Sequence, residues 1–129
     1  MKNFKLNEKD ILSNQDWTFP TTTYYGPGRF NEIAKFCEEF DIKNPLIVTD
    51  SGSKDLPFIK KLIALLSKNN IKSDLFYNIS PNPRDDEISK GCDQFKNGSH
   101  DSIIAIGGGS AMDGGKSICL TVNSETPLW

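Results

Sequence analysis

The sequence predicts an α/β domain, an open, mainly parallel sheet with helices on both faces. Three observations predict it. Residues 46–49 (LIVT) and 103–106 (IIAI) are short, continuously apolar runs, the pattern of strands covered on both sides. Around them, apolar residues recur at helical spacing. Proline, asparagine and glycine mark the changeovers, so the order reads strand, helix, strand, helix, strand, helix. Right-handed crossovers then give an open parallel sheet, and such sheets bind ligands outside the carboxyl ends of their strands.

Taken in order, Phe30, Ile33, Ala34, Cys37 and Phe40 form the buried stripe of an amphipathic helix that begins at Arg29 and is broken by Asn44-Pro45. The strand at 46–49 follows. Pro57 suits the first turn of the next helix, whose apolar residues Phe58, Ile59, Leu62, Ile63, Leu65 and Leu66 run until Asn69-Asn70 end it. Residues 74–79 read as the second strand. Pro81 and Pro83 forbid helix and central strand alike, so residues 80–84 form a loop, and Asp85-Asp86 are placed to cap the helix marked by Ile88, Cys92 and Phe95. Asn97-Gly98 closes that helix, residues 103–106 form the third strand, and residues 112–120 form the last helix. Upstream, residues 17–25 are rich in threonine and aromatics and suggest an outer strand pair that Pro20 confines to an edge.

The most telling segment is the run from Gly107 to Lys116 (GGGSAMDGGK), directly after the third strand. Glycines let backbone N–H groups approach an anion, and a helix beginning near Ser110 adds unpaired N–H groups and the positive end of its dipole. A diphosphate is the natural guest. The dinucleotide fingerprint G-x-G-x-x-G would place an acidic ribose partner roughly 20 residues downstream. Here the best candidate, Asp50, lies upstream. A P-loop, G-x-x-x-x-G-K-[ST], is matched by Gly115-Lys116-Ser117, but Ser110 stands where its first glycine belongs.

The run GGGSAMDGGK instead resembles the GGGSxxDxxK segment of the iron-containing (group III) alcohol dehydrogenases. Residues 46–50 (LIVTD) resemble that family's first nucleotide-binding strand, Pro81-Asn82-Pro83 its PNP loop, and Tyr25-Gly26-Pro27-Gly28 the glycine turn before its first helix. These stations occur in family order and cover the chain from about residue 18 to its end. The resemblance implies a Rossmann-like domain of the dehydroquinate synthase-like N-terminal type, the NAD-binding half of a metal-dependent enzyme that moves a hydride between an alcohol and NAD. In the family a helical C-terminal domain carries an aspartate and three histidines that hold Fe²⁺ or Zn²⁺, and these ligands have no counterparts here. The 129-residue chain is therefore expected to be a single cofactor-binding domain, inactive alone. The alternative is a non-catalytic nucleotide-binding or regulatory module. Glycerol dehydrogenases and dehydroquinate synthases share the general architecture.

The candidate cofactor-binding residues are Asp50, Asn82, Gly107, Gly108, Gly109, Ser110, Asp113 and Lys116. Asp50 can accept the adenosine ribose hydroxyls and repel a 2′-phosphate, favouring NAD over NADP, or it can cap the turn after its strand. Asn82 offers donor and acceptor in a proline-stiffened loop, toward the adenosine side or simply as a turn residue. Asp113, at capping-box spacing from Ser110, either caps the helix or touches cofactor or substrate. Lys116 can pair with Asp113 or reach the ribose and phosphate. Gly114 and Gly115, costly within a helix, require something close against it, either sheet or cofactor.

With 15 basic and 17 acidic residues spread along the chain, there is no electrostatic footprint for nucleic acid. No apolar run approaches the ~20 residues of a membrane span, and the N-terminus lacks a signal-like core, so a cytoplasmic protein is expected. Cys37, Cys92 and Cys119 have no metal-site or disulfide spacing and read as small buried hydrophobes. His100, the only histidine, precedes the third strand at the end of the sheet away from the glycines and reads as a surface loop residue. The sequence offers no catalytic or metal-binding residue. Besides NAD and a small alcohol or aldehyde, the expected partner is another copy of the chain, since an uncovered sheet edge and apolar face favour a homo-oligomer.

Overall fold

The computed structural model describes residues 20–124. Three parallel strands, β1 (Pro45–Asp50), β2 (Asp74–Ile79) and β3 (Ser102–Ala105), lie in the order β2-β1-β3. Four helices accompany them: α1 (Ile33–Glu39), entered through a 3₁₀ turn (Arg29–Glu32), α2 (Pro57–Lys68), α3 (Asp85–Asn97) and α4 (Gly109–Thr121). The helix expected to run unbroken from Arg29 thus starts as the tighter turn.

Alternation along β1 builds both halves of the core. Leu46 and Val48 face α3 and α4, joining Phe76, Ile79, Ile88, Cys92, Ile118 and Val122. Ile47 points the other way, to Cys37 of α1 and to Leu62 and Leu66 of α2. Successive side chains on opposite faces are all buried, which is why the sequence of this strand is continuously apolar. Each such aliphatic side chain contributes ~1.5–3 kcal/mol by leaving water.

The punctuation behaves largely as the residue types dictate. Pro57 opens α2, and Asn70, at φ 58°, turns the chain after it. At the start of α3 the reach-back contact comes from Glu87, not Asp85 or Asp86. Arg84 is the extended residue before the helix, and Glu87, three positions on, accepts its N–H at 3.0 Å. Asp85 accepts only the N–H of Asp86, at 2.8 Å.

Three expectations are corrected. Residues 20–25 form no strand, and 17–19 lie outside the described residues. Tyr24 instead packs at a tilt against Phe36 of α1, ring centres 4.5 Å apart and planes 40° from parallel, with the Arg29 guanidinium 4.9 Å from its ring, so the segment follows the helix rather than the sheet. Cys37 and Cys92 are buried, but Cys119 is exposed on the outer face of α4. His100 is buried, not on the surface. Ser99 at φ 51° turns the chain inward, and Gly98 leaves the space the ring occupies, which a Cβ there would fill. The His100 ring then bonds the Asn44 carbonyl through Nδ1 at 3.0 Å and approaches Asp74 Oδ2 at 3.3 Å through Nε2, tying the entrances of all three strands. Among the described residues, no helix is long and apolar enough to cross a membrane.

Candidate functional site

The chain leaves β1 toward α2 on one face of the sheet and leaves β3 toward α4 on the other. A crevice therefore opens between the carboxyl ends of these neighbouring strands. Asp50 forms one lip and Gly107 the other. Gly107 has φ 139°, and a Cβ on it would stand 2.9 Å from Ala111 Cβ, 3.1 Å from Asp50 Oδ2 and 3.3 Å from Thr49 Oγ1. Both conformation and space therefore demand glycine. The lips are joined by the Thr49 hydroxyl, which donates to the Ile106 carbonyl at 2.7 Å. Asp50 Oδ2, the oxygen on the Gly107 side, accepts the Ser53 hydroxyl at 2.9 Å, so the turn-capping role is real, while Oδ1 lies on the Gly52 side of the turn.

Gly108 and Gly109 differ from Gly107. A Cβ on either would meet no atom of the described residues within 4 Å, so packing among those residues does not explain them. α4 begins here with Gly108 as its cap and no side chain satisfying its first turn. The first helical bond runs from Met112 N to the Gly108 carbonyl at 3.1 Å, leaving the N–H groups of Gly109, Ser110 and Ala111 without helical acceptors. Open space and uncapped donors together fit an anion such as a diphosphate.

The side chains predicted beside this loop divide. The Ser110 hydroxyl donates to the Pro81 carbonyl at 2.9 Å, so its proton is committed to that loop and the backbone N–H is the donor left to the residue. That bond brings the 80–84 loop, and with it exposed Asn82, beside the glycine loop. Of the two readings of Asp113, the capping box with Ser110 is not formed, because Gly108 is the cap and Ser110 already lies inside the helix. Asp113 and Lys116 are both exposed on α4, and no ion pair joins them among the described residues. Gly114 and Gly115 meet the sheet: added Cβ atoms would stand 2.8 Å from Ile79 Cδ1 and 2.6 Å from Ala105 Cβ.

Sequence reasoning missed the apolar wall of the site. Phe30, Leu56, Phe58 and Ile106, with Ser53 and the glycine loop, line a cleft of about 410 Å³. Leu56, an exposed leucine at the cap of α2, was the legible signal. Among the described residues no group of three or more His, Cys, Asp or Glu side chains could hold a metal ion.

The sequence model of the iron-containing alcohol dehydrogenase family matches residues 20–129. The chain is 31% identical over 115 residues to NADH-dependent butanol dehydrogenase A of Clostridium acetobutylicum, covering 88% of this chain and 29% of that protein. Its fold is similar to the crystal structure of a 1,3-propanediol oxidoreductase, with TM-score 0.83 and 29% identity over 88% of this chain and 30% of that one. It is also similar to sulfoacetaldehyde reductase from Bifidobacterium kashiwanohense in complex with NAD⁺, with TM-score 0.75 and 31% identity over 87% of this chain and 30% of that one. The chain spans between 19% and 30% of the length of the curated relatives it matches.

Proposed function

We propose that this chain, which belongs to the iron-containing alcohol dehydrogenase family, is the NAD-binding half of an enzyme that transfers a hydride between a small alcohol and NAD. The observation that carries this reading is the pairing of an uncapped α4 N-terminus with two glycines, Gly108 and Gly109, at which a Cβ would meet nothing within 4 Å among the described residues. The N–H groups of Gly109 and Ser110 bind the diphosphate, with Gly108 and Gly109 allowing its close approach and Gly107 making the turn that presents them. The Asp50 carboxylate accepts the adenosine ribose hydroxyls, and its charge disfavours a 2′-phosphate. Asn82 contacts the adenosine side, while Asp113 and Lys116 lie about one and two turns beyond Gly109 on α4 for polar contacts with ribose or substrate. The apolar cleft beside Phe30, Leu56 and Phe58 excludes water from a bound ring.

The coenzyme, when bound, supplies the hydride chemistry. What these residues supply is placement. The Fe²⁺ or Zn²⁺ that the family implies finds no fitting ligand set among the described residues. The domain by itself is read as inactive, cytoplasmic and self-associating.

Isothermal titration of the chain with NAD⁺, NADP⁺ and Mg-ATP tests the reading. Saturable NAD⁺ binding, weaker for NADP⁺, is expected. Preference for Mg-ATP would favour the P-loop alternative suggested by Gly115-Lys116-Ser117, and the absence of NAD⁺ binding would end the dehydrogenase assignment.

A further inference from the structure

The loop between β2 and α3 is held more firmly than a simple connection requires. One oxygen of Glu87, Oε2, faces both of its feet: it accepts the Ser80 N–H at 3.3 Å and the Arg84 N–H at 3.0 Å, and it lies 3.1 Å from the Ser80 hydroxyl. That hydroxyl also lies 2.9 Å from the Asn82 carbonyl, so its single proton is shared between the two acceptors. The middle of the loop is held from a different element, by the Ser110 hydroxyl on the Pro81 carbonyl at 2.9 Å. Pro81 and Pro83 fix φ on either side of Asn82. Asn82 itself is exposed, and its side chain has no partner among the described residues. A loop fixed at its feet and its middle, with a free amide at its tip, is built to present that amide.

We propose that Ser110 and Glu87 are positioning residues that hold the 80–84 loop from two elements and thereby set where Asn82 stands beside the glycine loop. The assignment rests on the coenzyme reading of that loop given above. Charge strengthens the Glu87 contacts, whereas the Ser110 bond is neutral and the more easily lost. Ser110 thus contributes to binding in two ways: its N–H belongs to the anion site, and its hydroxyl acts at a distance, through Asn82.

Two measurements on the 129-residue chain test this. In the ligand-free protein, Ser110→Ala should speed amide exchange at Ser80 and Arg84 at least fivefold while leaving Val48 unchanged, and Ser110→Thr should restore it. Unchanged exchange in Ser110→Ala overturns the proposal without touching the coenzyme reading. In NAD⁺ titrations, Asn82→Ala and Ser110→Ala should each weaken binding about tenfold, and the double variant should be no weaker than Asn82→Ala alone within about twofold. Multiplying effects, or wild-type affinity in Ser110→Ala, overturn the positioning role alone. A wild-type chain that fails to bind NAD⁺ overturns the coenzyme reading and the positioning role with it.

Discussion

Gly115 of α4 lies so close to Ala105 of β3 that a Cβ added to it would stand 2.6 Å from the alanine's own. The alanine methyl is fixed directly to a strand and has no rotamer by which to withdraw. Gly115→Ala should therefore destabilise the domain by about 1–3 kcal/mol, overriding the ~1 kcal/mol that alanine gains over glycine in a helix. Denaturant titration checks this, with the midpoint expected to fall.

Gly109→Ala should do the opposite to stability. The position is helical and a Cβ there meets nothing, so thermal unfolding should be unchanged or a few degrees higher. On the proposed diphosphate site, NAD⁺ affinity should fall at least tenfold, because the methyl would project into it. A variant that keeps full affinity would show that the opening is not the anion site.

Asp50→Ala separates the two roles of that carboxylate. Losing the Ser53 contact should cost about 1 kcal/mol of stability. In binding, NAD⁺ should weaken about tenfold, the factor expected from one lost charged contact of ~1.4 kcal/mol, while NADP⁺ weakens less or improves. Equal losses for both coenzymes would remove Asp50 from the ribose.

The sheet's lower end supplies a pH test. Burial works to raise the Asp101 pKa, but the N–H of Lys43, the hydroxyl of Ser102 and the N–H of Asn44 outweigh it and hold the carboxyl below its ordinary value. A depressed folded-state pKa gives stability that is present above the unfolded carboxylate value, ~3.9, and is lost as pH falls through the lower folded one. Glu87 follows the same sign, because burial raises its pKa but the N–H of Arg84 and the hydroxyl and N–H of Ser80 bring it down further. The melting temperature should accordingly drop as pH falls below about 4. Asp101→Asn should flatten part of that drop, starting from a lower plateau at neutral pH.

The chain's own composition and periodicity determined the order of elements, the parallel class of the sheet, the strand ends that carry Asp50 and Gly107, and the existence of a glycine loop opening a helix. These are local properties: apolar runs, helical spacing, proline and glycine conformations. What each glycine faces was decided only by folding, which set Gly114 and Gly115 against Ile79 and Ala105 and left Gly108 and Gly109 against open space. Folding likewise gave the Ser110 hydroxyl to Pro81, buried His100 in the place Gly98 leaves, and denied Asp113 its cap. The physical reason is that a helical period names a face but not its neighbour. The neighbour depends on how the crossovers lay distant segments side by side, and Pro81 and Ser110, 29 residues apart, meet only because β2, β1 and β3 end together at one edge of the sheet.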